Sequence, residues 1–470
     1  MKNKMKYLIL FIVTALIFAG CQDRSELLAP TAPTPVSGNA NLTTYVAIGN
    51  SLTAGYQSSA LYQSAQVYSY PNQIAQQVGA TFEQPLIADP GIGGQIKIVS
   101  LDPFVTKTEP AQGGAPLNLN YPAPYNNLGI PGVVLADVMN STATSGSYSN
   151  SPFIDIILRG QGTQFAQAKA LRPTFITLWI GNNDVLGFAT SGGANPSSPT
   201  DANTFGFLYG QLADSLAATG AKVVVANIPN VTAIPFFTTV GPGFAQTLTA
   251  ANVPGFYYQA HGQYSGTAGA PAQLTSNQLL LTLIAQPYLA YFGKPSGKFY
   301  RDHNADISLL IAGGIIDTTK PFGADPKNPI PDALILDPSE ISTANTATAN
   351  FNAAIQAAVN KYPNQFALVD INAIFNSIAQ NGITVNGINF TTTFVTGGLF
   401  SLDGVHPTAQ GQAIVANEFL KVINSKFGSN YSLIDVSTIP GSVGLAKSVS
   451  INFADKNTFI DPSFKKYLMF

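Results

Sequence analysis

Four short runs of apolar and β-branched residues, at 44–48, 174–180, 222–228 and 366–371, each end in Gly, Asn, Pro or Asp, with helical patterns between them. This alternation constrains the chain more than anything else in it. Continuous apolar runs of this length suit strands covered on both faces, and strand–helix alternation buries them in a parallel sheet with helices on either side. The helical patterns include 204–219, 341–361 and Ala409–Phe427, the last with Ile414, Val415, Phe419, Val422, Ile423 and Phe427 on one stripe and Gly428 as its stop. Two stretches, at about 81–125 and 235–335, are too long for connecting loops and are expected to be lids, binding loops or small subdomains.

Composition narrows the class. The chain has 470 residues, 46% of them hydrophobic and only 10% charged, so a large core is available and the polar surface must come from Asn, Gln, Ser and Thr. With 22 Lys and Arg against 24 Asp and Glu and no basic run, a nucleic-acid partner would lack its main electrostatic attraction. One cysteine excludes a disulfide framework. That cysteine, Cys21, follows Lys2, Lys4, Lys6 and an apolar stretch at 7–19, which resembles a bacterial lipoprotein signal.

The expected organisation is a signal peptide at 1–20, a lipid-anchored flexible tether at 21–43, one domain at 44–430, and a tail at 431–470 with strand-like residues at 449–453 and no assignable role. Removing 1–20 takes away three lysines, so the charge becomes 19 minus 24, or −5, and membrane contact would run through the Cys21 lipid rather than a polybasic patch. The expected location is the bacterial envelope, at the outer membrane, with no protein partner predicted.

In open parallel sheets the chemistry sits at the carboxyl ends of strands. After the first run comes Gly49-Asn50-Ser51-Leu52, where Ser51 is a candidate nucleophile or a helix cap. Thr53 breaks the G-x-S-x-G elbow, which argues against an ordinary α/β-hydrolase. After the second run, Gly181-Asn182-Asn183-Asp184 offers the Asn183 amide as an oxyanion donor, with Asp184 able to orient it; as a tetrapeptide it also reads as a turn. Between them, Gly129 and Gly132 could bring a backbone N–H close to a reacting oxygen. Asp403-Gly404-Val405-His406 lets a carboxylate reach Nδ1 of an imidazole whose Nε2 then faces a serine. His261, among tyrosines, and His303, beside Arg301 and Asp302, read as structural or surface residues. No metal-ligand spacing is present, and Gly91-Ile92-Gly93-Gly94 is not a phosphate or dinucleotide fingerprint.

Taken in order, G-N-S-L at 49–52, Gly132, G-x-N-D at 181–184 and D-x-x-H at 403–406 resemble the SGNH hydrolases, also called GDSL lipases and esterases. The resemblance implies a flavodoxin-like three-layer α/β/α sandwich enlarged by insertions. It also implies a catalytic Ser51, Asp403 and His406, an oxyanion hole of Ser51, Gly132 and Asn183, and no cofactor or metal. The first block reads G-N-S-L where the family has G-D-S-L, so any role of that aspartate is lost. Residues 226–232 look like the post-strand segment of lipase-like members. The implied activity is ester hydrolysis through an acyl-enzyme, on lipid or short-chain acyl esters; the alternatives are a carbohydrate acetylesterase or a non-catalytic surface lipoprotein binding glycan or lipid. The aromatics of 235–335, such as Phe244, Phe256, Tyr258, Tyr288 and Phe292, are read either as an apolar acyl pocket or as a subdomain core.

Overall fold

The computed structural model describes residues 36–441 except 102–103, 196, 261–262, 270–273 and 275–277. The expected signal segment, Cys21, His261 and the strand-like 449–453 lie outside the described residues. Five strands form the central sheet: β1 (Tyr45–Gly49), β2 (Asn127–Gly129), β3 (Phe175–Trp179), β4 (Lys222–Ala226) and β5 (Phe366–Val369). Their order is 2-1-3-4-5 and every pair is parallel. This is the flavodoxin-like order, in which the strand sequence reverses beside β1 and opens a crevice between β1 and β3 at their carboxyl ends.

The helices that frame that crevice are α1 (Ser51–Ala54), α2 (Tyr70–Val78), α3 (Asn183–Thr190), α4 (Ala202–Ala217), α5 (Pro338–Lys361), α6 (Ile371–Asn381) and α7 (Ala409–Phe427). Period-two alternation divides the sheet between two cores. Val46, Ile48, Ile176, Leu178, Val223 and Val225 point to the layer of α4 and α5. Tyr45, Ala47, Phe175, Val224 and Ala226 point to the layer of α2, α6 and α7. The architecture is therefore the three-layer sandwich that the strand–helix alternation called for.

Local signals place the helix ends. Asp337 and Glu340 form a reciprocal capping box around Pro338 and start α5. Across α5, Phe351 stacks on Phe205 of α4 with centroids 3.9 Å apart, and Phe351→Ala would cost about 3–5 kcal/mol. Thr408 caps α7 by accepting from the Gly411 N–H, and Gly428 closes it in the left-handed conformation.

Two boundaries differ from the sequence reading. Ala40 and Leu42 are fully or nearly fully buried, and Asn39 N–H donates to Phe427 O (2.7 Å), so the chain is packed onto the domain well before residue 44. Ile434 and Val436 are also buried, and Ile434 exchanges two hydrogen bonds with the Asn417 side chain (2.7 and 2.9 Å), so the start of the tail covers α7. The long inserts carry structure of their own. Ile96–Leu101 and Phe104–Thr108 form an antiparallel hairpin. In 235–335, Val240, Phe244, Phe256, Tyr258, Tyr288 and Phe292 build a separate core, the subdomain alternative of the sequence reading. Among the described residues no helix is long and apolar enough to cross a membrane.

Candidate active site

The crevice at β1 and β3 collects the residues that the four motifs supply. β1 ends at Gly49, where a Cβ would stand 2.1 Å from Thr53 Oγ1 and 2.5 Å from Trp179 O, so only glycine lets the chain turn this tightly into α1. Asn50 caps α1 by accepting from the Leu52 N–H (3.0 Å), which places Ser51 at the first helical position. Asn50 also makes a contact that the sequence analysis did not assign to it. Its Nδ2 donates to Asn182 Oδ1 (3.1 Å), tying the serine turn to the turn after β3.

Ser51 Oγ lies 2.9 Å from His406 Nε2, and His406 Nδ1 lies 3.0 Å from Asp403 Oδ2. The carboxylate fixes the tautomer that leaves Nε2 free to accept the serine proton. Asp403 is itself held by four further donors: the N–H groups of Val405 and His406 (both 2.9 Å) and Ser401 Oγ (3.1 Å) on Oδ1, and the Ser59 N–H (2.8 Å) on Oδ2. Burial by itself raises this carboxyl, but the His406 charge, the ring bond and the N–H groups outweigh it and hold the group at about 2. Asp403 therefore stays ionised next to the imidazole.

The support for Asp403 comes from a loop with no linear motif. Ser58 and Ser59 both adopt positive φ (50° and 64°), a conformation L-residues rarely take, and this aims the Ser59 N–H at the carboxylate. Ser58 N–H donates to Ser401 Oγ (2.9 Å), which closes the loop onto the Asp403 turn. The Tyr56 ring packs on the His406 ring at 4.8 Å, while its hydroxyl donates to Ser59 O (2.6 Å). Burial, then the Asp403 charge, pushes that hydroxyl well above its usual range, so it remains a neutral donor.

On the oxyanion side, Gly132 is exposed with φ 84°, and neither its N–H nor that of Ser51 is bonded to another described residue. Gly129 is excluded from that duty because its N–H donates to Asn127 Oδ1 (2.9 Å). Asn183 Nδ2 donates one proton to Val133 O (2.8 Å), leaving its second for the crevice. The sequence reading had Asp184 orienting Asn183, and the structure places it elsewhere. Its carboxylate accepts from the Leu135 N–H (2.9 Å) and from Thr200 Oγ1 (2.8 Å), so it bears on Asn183 only by anchoring the 133–135 turn that Asn183 grips. Burial pushes Asp184 up to about 6 despite those bonds. His303 is exposed, with Nδ1 against Phe299 O (2.7 Å), and follows the short helix Lys298–Asp302 of the 235–335 insertion, outside the residues that line this crevice.

Ser51, His406, Asn182 and Asn183 open on a cavity of about 910 Å³, counting its open mouth. Its walls come from α6, α7, α3, the turn after β4 and the 399–407 segment, and none of the described residues of 235–335 lines it. Phe244, Phe256, Tyr258, Tyr288, Phe292 and Phe322 of that insertion pack into its own core, and none of its described aromatics lines this cavity. The insertion instead braces the histidine turn: Phe236 N–H donates to Gly404 O (3.0 Å). Among the described residues no group of three or more His, Cys, Asp or Glu side chains is placed to hold a metal ion.

A serine, an imidazole and a buried carboxylate in one hydrogen-bonded line, set at the switch point of a parallel sheet, is the arrangement of a serine hydrolase. The sequence model for GDSL-like lipases/acylhydrolases matches residues 298–419, the part that carries Asp403 and His406. Motif order, fold and this match together support the SGNH, or GDSL, hydrolase family, whose members act on esters. No curated protein matches it.

Proposed function

We propose that the chain hydrolyses carboxylic esters through an acyl-enzyme on Ser51. The observation that carries this reading is the unbroken file from Ser51 Oγ through His406 to Asp403, at 2.9 and 3.0 Å. His406 Nε2 takes the serine proton as Oγ attacks the ester carbonyl, and Asp403 stabilises the imidazolium that forms. Charge developing on the carbonyl oxygen is met by the Ser51 and Gly132 N–H groups and the Asn183 amide, each worth about 2.7–4 kcal/mol of barrier. His406 then returns the proton to the departing alkoxide. Water, deprotonated by the same nitrogen, adds to the acyl carbonyl, and collapse releases the acid and restores Ser51.

Lipid or short-chain acyl esters fit this site better than acetylated glycans, because away from Asn50, Ser51, Asn182, Asn183 and His406 the cavity lining is apolar except for Glu418 and would leave sugar hydroxyls without partners. A non-catalytic binding protein has no use for a carboxylate held by five hydrogen bonds behind an imidazole. Lipidation at Cys21 would tether this chemistry to the bacterial outer membrane; labelling with a fatty-acid analogue that survives Cys21→Ser would refute the anchor. The activity itself is tested with p-nitrophenyl esters. Ser51→Ala should abolish turnover with folding intact, and unchanged hydrolysis by that variant would remove Ser51 from the mechanism.

A further inference from the structure

α6 and α7 carry apolar residues that a sandwich helix normally spends on the sheet, and here part of each stripe faces empty space. On α6 these are Ile371, Ile374, Phe375 and Ile378; on α7 they are Gly411, Ile414 and Val415, followed by Glu418. Both series advance by seven residues from the catalytic end, which at 1.5 Å per residue is about 10 Å. The polar lining is confined to two places: Asn50, Ser51, Asn182, Asn183 and His406 at the near end, and Glu418, paired with Lys421 Nζ (2.6 Å), at the other. An unfilled apolar cavity forfeits packing energy, so a fold that keeps one beside a nucleophile has kept it for a ligand.

We propose that the α6–α7 cavity is the acyl site and that it selects medium-chain esters, with Val415 and Ile378 narrowing its distal half and the Glu418–Lys421 pair setting the upper limit of chain length. This rests on the ester-hydrolase reading above. An extended alkyl chain advances about 1.25 Å per carbon for a 1.5 Å bond and tetrahedral angle, so about 10 Å accommodates about eight carbons. A longer chain would drive its methyl end against an ion pair and desolvate it without compensation. The acyl group, not the alcohol, belongs here. It stays on Ser51 until water arrives, whereas the alcohol must leave at once, and exposed Gly132 marks the open side. Burying each methylene raises kcat/KM by about fourfold until the cavity is full.

The chain has one tryptophan, Trp179, and it lines this cavity, which gives a readout independent of turnover. Titration of the full protein with octanoate should change Trp179 emission saturably, and acetate at equal concentration should not; no saturable response to octanoate overturns the assignment. On p-nitrophenyl esters from acetate to palmitate, kcat/KM should peak near octanoate. Val415→Phe should lower the octanoate-to-acetate ratio by about tenfold, and Glu418→Leu should move the peak to longer chains. Ser51-dependent hydrolysis with a profile that neither variant shifts overturns the acyl site and leaves the hydrolase standing. Saturable octanoate binding with no turnover of any ester supports the cavity and overturns the hydrolase reading. Faster turnover of octyl acetate than of ethyl octanoate would put the alcohol, not the acyl group, in the cavity and refute the proposal.

Discussion

Asp403→Asn separates the charge of the triad from its shape. In the native site Oδ1 accepts from three donors, the N–H groups of Val405 and His406 and the Ser401 hydroxyl, while Oδ2 accepts from His406 Nδ1 and the Ser59 N–H. An asparagine keeps its oxygen where three donors converge, so its amide nitrogen takes the Oδ2 position. There it faces the imidazole as a donor and draws Nδ1 into accepting. Nε2 then carries the proton and points it at Ser51 Oγ, 2.9 Å away, so the base is blocked with its position unchanged. The expected loss in kcat is about 10⁴-fold, about 5.5 kcal/mol of barrier. A second cost falls on stability. The Ser59 N–H is left against another donor in a buried site, worth about 1–3 kcal/mol. The assay is the kcat of a p-nitrophenyl ester at pH 7–8 beside urea unfolding of the same variant. A folded Asp403→Asn protein with kcat within tenfold of the parent would refute the tautomer argument.

Four further outcomes follow from the same geometry. Asp184 has a folded pKa of about 6, above its unfolded value of about 3.9, so the native state holds the proton more tightly and stability should fall as pH rises from about 4 to about 6. The drop should be on the order of 2 kcal/mol by urea unfolding and should vanish in Asp184→Asn; persistence of the slope in that variant would assign it to another group. Asp403 has the opposite sign: its contribution is complete above pH 4 and is lost as pH falls through about 2, so urea unfolding should show no loss attributable to it between pH 4 and 7. Ser59→Gly keeps the N–H on Asp403 and relieves the positive φ, gaining about 1 kcal/mol with activity retained, whereas Ser59→Pro removes both donor and conformation and should lower kcat steeply. Gly404→Ala places a Cβ 2.9 Å from Phe236 N at φ 69° and should reduce Tm and activity together; an unaltered melting curve would show that the insertion does not brace the histidine turn.

Much of this site was legible in linear sequence because the physics involved is local. Apolar runs mark strands, caps mark helix starts, and D-x-x-H puts a carboxylate within reach of its own imidazole three residues on. The four long runs agree with β1, β3, β4 and β5 to within about two residues, and α7 spans the residues its stripe indicated. β2 escaped because Asn127–Gly129 is too short to show a period and is a strand only through its pairing with β1. Asp184 was misplaced because adjacency in sequence suggested a contact that the helix turns away, toward Leu135 and Thr200. The insertion aromatics could be counted but not assigned, since core and pocket demand the same residue types.

The sequence by itself therefore determined the class of fold, the order of the site residues and the identity of each functional group. Tertiary structure decided what those groups can do together. Ser51 and His406 meet across 355 positions, and the left-handed turn at Ser58 and Ser59 reaches Asp403 across 344. The cavity exists only because two helices distant in sequence from Ser51 leave their apolar stripes partly uncovered beside it. Propensity and patterning act within a few residues, whereas hydrogen-bond distances and empty volume are set by how whole layers pack.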